Sequence, residues 1–200
     1  IDRVSLGSKY PVVQFNYTYG LKNVLNSDFE YHRAEVKVDD RLSLNPFGYT
    51  YWVLSAGKTW GTVPYPLLTM HPGNETYFYD YAAFNMMNYF EFVSDYYVSG
   101  FATHHFDGFF LDKIPLMRKL KWREVAQAKI VYGGISKSNL SILKDPTAFS
   151  TLSKKPYVEV GAGVENIFKL IRVDFIWRMA YLDHPDISKF GIRASLQLLF

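Results

Sequence analysis

The chain has 200 residues, is 48% hydrophobic and 18% aromatic, carries a formal net charge of +3 and contains no cysteine. That composition excludes a disordered chain, a disulfide scaffold and cysteine-based zinc or thiol chemistry. No run approaches the ~18 uninterrupted apolar residues of a membrane-spanning helix. The 22 basic and 19 acidic residues are interspersed, so a pI near 8.9 reads as a mixed polar surface and not as a nucleic-acid footprint. The aromatics are rich in tyrosine, which suits the boundary between an apolar and a wet phase.

The dominant signal has period two, the period of a strand with one apolar and one polar face. In the first predicted strand Val13, Phe15, Tyr17 and Tyr19 alternate with Gln14, Asn16, Thr18 and Gly20. In the second, Ala34, Val36, Val38, Leu42 and Leu44 alternate with Arg33, Glu35, Lys37, Asp39, Arg41, Ser43 and Asn45, with Asp40 the misfit. A third, less regular strand is predicted from Tyr49 to Trp60. A fourth, from about Tyr89 to Phe106, sets Phe90, Phe92, Tyr96, Val98, Ala102 and Phe106 against Glu91, Asp95, Ser99 and Thr103. A fifth, from Trp122 to Gly134, sets Ala126, Ala128, Ile130 and Tyr132 against Arg123, Gln127 and Lys129. The sixth sets Val158, Val160, Ala162 and Val164 against Tyr157, Glu159, Gly161, Gly163 and Glu165. The seventh sets Ile171, Val173, Phe175, Trp177, Met179 and Tyr181 against Arg172, Asp174 and Arg178. The eighth sets Phe190, Ile192, Ala194, Leu196, Leu198 and Phe200 against Gly191, Arg193, Ser195 and Gln197.

Soluble strands usually run ~5–6 residues, membrane-spanning strands ~9–11. About eight long strands with strongly charged polar faces therefore predict an all-β protein, a transmembrane antiparallel β-barrel occupying residues 1–200 as a single segment. A soluble barrel or sandwich is the competing architecture. Loop lengths favour the membrane reading. With Phe200 at the periplasmic side, the tight links Asn45 to Gly48 and Ile167 to Leu170 fall inside, and the long links Gly61 to Asn88 and Ile135 to Pro156 fall outside. The long link Asp107 to Lys121 breaks that pattern. No signal peptide is visible, so the sequence reads as a mature fragment or the tail of a longer chain.

The external link 61–88 is too apolar for a surface loop and is expected to fold into the barrel lumen. Its predicted tip, His71, Pro72, Gly73, Asn74, Glu75, Tyr77, Tyr79 and Asp80, should pack against the polar faces of the last four strands, with Arg172 or Arg178 satisfying Glu75 or Asp80. The lumen charges expected are Glu91, Asp95, Arg123, Arg172, Asp174 and Arg178, paired internally because buried charges must be paired or wet. His104 and His105 are adjacent on a strand and point to opposite faces, so they do not suggest a metal site. No catalytic constellation, metal or cofactor is expected. Phe109 to Lys121 is amphipathic and basic, and either lies on the membrane surface or forms a solvated turn.

The last strand, with Gly191, Leu196, Leu198 and a terminal Phe200, resembles the recognition signal of outer-membrane barrels. The stretches Tyr157 to Phe168 and Ile171 to Phe175 resemble the last strands of the outer-membrane assembly superfamily that includes BamA and TamA. More closely, Tyr65-Pro66-Leu67-Leu68, His71-Pro72-Gly73-Asn74, Asn88 to Asp95, His104-His105-Phe106 and Ile114-Pro115-Leu116 resemble a large uncharacterised family of outer-membrane proteins with an N-terminal carboxypeptidase-regulatory-like domain. The superfamily resemblance implies the last half of a barrel of about 16 strands, in which the loop 61–88 takes the place of the superfamily's lumen loop. The superfamily loop carries an arginine-glycine pair at its tip, whereas His71-Pro72-Gly73-Asn74 has no arginine. The expected function is insertion or export of proteins at the bacterial outer membrane, not catalysis. The alternatives are a structural subunit of a larger outer-membrane complex and a passive channel or transporter. The expected partners are the lipid bilayer and client or partner outer-membrane proteins, with no nucleic acid.

Overall fold

The computed structural model describes residues 10–23, 27–143, 150–152 and 155–197. Ten strands form in chain order: β1 (Val12–Gly20), β2 (Tyr31–Ser43), β3 (Tyr49–Trp60), the two-residue β4 (Thr69–Met70) and β5 (Val93–Ser94), β6 (Tyr96–His105), β7 (Arg123–Gly134), β8 (Tyr157–Ile167), β9 (Ile171–Arg178) and β10 (Phe190–Leu196). Eight of them make one antiparallel sheet in the order β1-β2-β3-β6-β7-β8-β9-β10, a meander in which each strand pairs with its neighbour along the chain. β4 and β5 pair separately, inside the excursion between β3 and β6. Among the described residues β1 and β10 are edges and do not pair with each other. The chain is thus all-β, and among the described residues two short α-helices lie in its links, α1 (Pro115–Leu120) and α2 (Lys137–Ile142). No helix among the described residues is long and apolar enough to cross a membrane.

Burial in this sheet runs opposite to that of a soluble sandwich. Along β7, Val125, Gln127, Lys129, Val131 and Gly133 are buried, whereas Ala128, Ile130 and Tyr132 are exposed. Along β8 the buried positions are Tyr157, Glu159, Gly161, Gly163 and Glu165, and along β9 they are Arg172, Asp174, Ile176 and Arg178. The charged face is the covered one, and Phe175, Trp177, Ile192 and Leu196 stand on the open one. The cover is the excursion 61–95. Its Phe84, Met87 and Phe92 form a core with Val131, Leu152, Tyr157 and Tyr181. A second cluster joins Val63, Leu68 and Val93 to Leu143. The same face of β1 lies beyond this cover, with Gln14 and Asn16 exposed, whereas on β2 Tyr31 packs against the second cluster and Arg33 donates to the Leu67 carbonyl.

Two strand boundaries differ from those expected. The fourth main strand begins at Tyr96, not Tyr89. Phe90 adopts a left-handed φ of 60° and is exposed whereas Phe92 is fully buried, so alternation across 89–95 belongs to a loop that buries residues 92–95 and not to a strand. The seventh stops at Arg178, and Tyr181, with φ of 54°, packs against Phe92 instead of the open face. The tight links 45–48 and 167–170 are turns, as expected, and the long link 107–121 holds a 3-10 turn (Leu111–Lys113) followed by α1.

Candidate functional site

The candidate site is the contact between the excursion and the charged, covered face of β7 to β10. Period-two alternation puts Gln127, Lys129, Glu159, Arg172, Asp174 and Arg178 on one face, and the antiparallel register places Lys129 directly opposite Glu159. Glu159 accepts the main-chain N–H groups of Asn85 at 2.9 Å and Met86 at 3.0 Å, and the Tyr157 hydroxyl at 3.2 Å. Lys129 Nζ donates to the carbonyls of Asp80, at 2.9 Å, and Ala83. One strand pair therefore satisfies both donors and acceptors of a buried irregular backbone, as such a segment requires.

Arg178 forms the second anchor. It donates to Glu91 Oε1 at 2.6 Å and Oε2 at 2.9 Å, and to the carbonyls of Met86, Ala180 and Tyr181. His184 Nδ1 lies 2.9 Å from the same carboxylate. Burial pushes Glu91 up, but the hydrogen bonds from Arg178 and His184 outweigh it and hold the carboxyl below its ordinary range. Arg172 pairs with Asp174 at 2.7 Å, both fully buried, and its guanidinium lies 4.8 Å from the Tyr79 ring centroid. The Tyr79 hydroxyl donates to Gln127, whose amide donates to Asp174 at 3.0 Å.

The predicted tip residues divide. His71, Asn74 and Tyr79 are buried, whereas Pro72, Glu75, Tyr77 and Asp80 are exposed and Gly73 is intermediate. Asn74 organises the tip, donating to Asn85 Oδ1 and the Phe78 carbonyl, both at 2.7 Å, and accepting from Thr76. A Cβ on Gly73 would meet the carbonyl oxygens of Met87, 2.6 Å away, and Asn88, so only glycine allows this backbone approach. Neither Glu75 nor Asp80 pairs with an arginine. Glu75 accepts the N–H of Tyr89 at 2.8 Å and Asp80 that of Ala82 at 2.8 Å, because Asp174 and Glu91 already engage the two guanidinium groups.

Two of the expected charges lie at the ends of that face and not against the excursion's anchors. Arg123 starts β7 and is exposed, 3.2 Å from Asp107 beside the tight-link end of the sheet. Asp95 is buried just before β6, where its carboxylate accepts the N–H of Ser136 and the side chain of Asn139, both at 2.8 Å, tying the start of α2 to the sheet. Gly191 faces inward, where a Cβ would meet Met86 Sδ at 2.8 Å, and Leu196 is exposed. Leu198 and Phe200 lie outside the described residues. Asn85, Met86 and His184 are site residues that alternation does not reveal, since they belong to loops whose contacts are long-range.

His71 Nε2 lies 2.9 Å from the buried Ser94 hydroxyl, and burial pushes the imidazole down to about 4. Such a group is a poor base near neutral pH, and the pair reads as packing. His104 bonds Thr50 and His105 bonds Glu165, on opposite faces as expected. No group of three or more ligating side chains occurs among the described residues. Beside the anchored half, between the excursion and β2, β3 and β6, lies a cavity of about 430 Å³ bordered by Lys37, Tyr51, His71, Tyr81, Tyr97 and Phe101.

Compared with known proteins, residues 2–164 match the family model described as the C-terminal domain of a family of unknown function, DUF5686. No curated protein matches the chain.

Proposed function

For a chain that belongs to the DUF5686 family through its C-terminal domain, we propose that the sheet is part of the wall of a plugged bacterial outer-membrane barrel. We propose further that this barrel acts in protein insertion or export, and is not a passive pore. The observation that carries the reading is the inverted burial. The face of β7 to β10 bearing Lys129, Glu159, Arg172, Asp174 and Arg178 is covered, while Ile130, Phe175, Trp177 and Ile192 face outward. Lipid accepts that outward face and rejects the other. The edge strands β1 and β10, which do not pair with each other among the described residues, and the uncovered inner face of β1 fit a wall completed by further strands, as the resemblance to the assembly superfamily implies.

A plug tied down by Glu159, Lys129 and Arg178 does not suit a freely conducting channel, since opening it would break several charge-assisted hydrogen bonds to the excursion at once. The second reading, a structural subunit of a larger outer-membrane complex, is favoured by the tip His71-Pro72-Gly73-Asn74, which lacks the superfamily's arginine.

The test is depletion of the complete protein from cells that express it, followed by quantitative proteomics of the outer membrane, with conductance of the purified protein in planar bilayers. Insertion or export predicts loss of several unrelated outer-membrane proteins and small, unsteady conductance. Loss of one fixed set of partners would support the structural-subunit reading. A large steady conductance with an unchanged proteome would replace both with a pore.

A further inference from the structure

β10 is an edge strand whose partner on one side is β9, in antiparallel register from Phe190 opposite Trp177 to Leu196 opposite Ile171. In such a ladder the N–H and C=O of one residue point the same way and successive residues alternate. The Gln197 N–H donates to the carbonyl of Leu170, on the β9 side, at 2.7 Å. Phe190, Ile192, Ala194 and Leu196 therefore direct their main-chain groups to the free edge. At Ala194 that edge is occupied. The Ala194 N–H donates to the carbonyl of Tyr77 at 3.0 Å, and its carbonyl accepts the N–H of Tyr79 at 2.8 Å. Phe78 and Ala194 thus form a bridge, and its sense is parallel.

This bridge has the side-chain pattern of a strand. Bridged residues share a face, so Phe78 joins Ala194 on the outward face, where it is 67% exposed. Tyr79 turns inward and is buried against Gln127 and Arg172. The parallel sense sets the segment apart from the main sheet, whose strands are all antiparallel. Four contacts hold it from within: Asn74 to the Phe78 carbonyl at 2.7 Å, Asn74 to Asn85 at 2.7 Å, Arg193 to the Asn85 carbonyl at 3.0 Å, and Gln197 to the Tyr81 hydroxyl at 3.0 Å.

We infer that residues 77–79 are a detachable strand of the protein's own loop, occupying the free edge of β10, and that another extended segment can pair across Ala194 only by displacing them. An unpaired strand edge is a template for β-addition, and covering it with a loop is a known physical remedy. Here the cover satisfies both main-chain groups of one residue and leaves Phe190, Ile192 and Leu196 to other neighbours. A wall that closes on β10 is then joined to it on either side of Ala194 but not through it, which makes this seam separable.

The inference is independent of the client or partner and is tested on the complete protein in its native membrane. The 200 residues contain no cysteine, so a Phe78→Cys, Ala194→Cys pair is unambiguous once any cysteine elsewhere in the protein is replaced. Val173→Cys with Ala194→Cys, directly opposite in the β9–β10 ladder, is the positive control. Under mild oxidation both pairs are expected to bridge in most folded molecules. Bridging of the control alone would overturn the inference. A second measurement uses a synthetic peptide of residues 73–80 carrying a photo-crosslinker in place of Phe78. A variant lacking residues 73–79 is expected to capture the peptide on β10 several-fold more than the intact protein. Equal capture would show that the edge is not held by the loop.

Discussion

Glu159→Gln keeps the shape of the side chain and removes its charge, and so isolates what the carboxylate does for the excursion. Glu159 is 1% exposed and accepts two main-chain N–H groups, from Asn85 at 2.9 Å and Met86 at 3.0 Å. Hydrogen bonds to a charged acceptor contribute roughly 1.5–3 kcal/mol each. A glutamine offers one acceptor atom, and its other terminal atom presents N–H to N–H. One bond is lost and the other becomes neutral, while Lys129 across the ladder loses its facing charge. The expected cost is about 3 kcal/mol, borne by the docked excursion and not by the sheet ladder, and it corresponds to roughly a hundredfold in the equilibrium for local opening. Limited proteolysis within residues 61–95 of the folded protein reads that equilibrium when reclosing is fast relative to cleavage. Glu75→Gln, at an exposed residue accepting one N–H from Tyr89, is the control and should shift the rate by less than tenfold. If Glu159→Gln is cut at the wild-type rate, Glu159 does not anchor the excursion and the account of the buried anchor is wrong.

Gly73→Ala should loosen the tip by about 1–3 kcal/mol, because the added Cβ meets the carbonyls of Met87 and Asn88, and backbone cannot move aside as a side chain can. Cleavage between residues 71 and 88 would rise while the midpoint of sheet unfolding changes little, and an unchanged cleavage rate would refute the close approach. Acid should also release the excursion. His71 is held down to about 4 by burial, and an exposed histidine titrates near ~6.5, so the open form binds more protons between those values and the docked form loses about 3 kcal/mol as pH falls through that window. Glu91, whose carboxyl is held low, contributes stability above its ordinary range and loses it as pH falls through its folded value, so both groups act in the same direction. Protease sensitivity against pH should therefore rise on acidification, and His71→Gln should flatten the part of the profile between roughly pH 6.5 and 4. A profile unaffected by His71→Gln would mean that His71 is not buried in the docked state.

Strict alternation is a local property, and it made most of the sheet legible. The sets Val158, Val160, Ala162, Val164 and Tyr157, Glu159, Gly161, Gly163, Glu165 fall on opposite faces of β8 because successive strand residues must. The eight-stranded meander and its tight turns at 45–48 and 167–170 follow from the same period and its interruptions. The excursion's place against the charged face was expected from its aromatics, but of Tyr77, Phe78 and Tyr79 only Tyr79 is buried, and polar anchors such as Glu159 and Arg178 hold the rest. Alternation misleads where a loop happens to share the period. Phe90 and Phe92 mimic the start of β6, but a left-handed turn at Phe90 leaves that ring exposed, and the pairing of Arg178 with Glu91 accompanies Phe92 into the core. Partner choice was likewise decided by tertiary structure. Arg172 and Arg178 were visible as buried cations, yet their carboxylates proved to be Asp174 and Glu91, not Glu75 or Asp80. The edge contact between Tyr77–Tyr79 and Ala194 left no trace in the sequence, because main-chain hydrogen bonds between segments more than a hundred residues apart depend on where the backbone runs and hardly on side-chain identity.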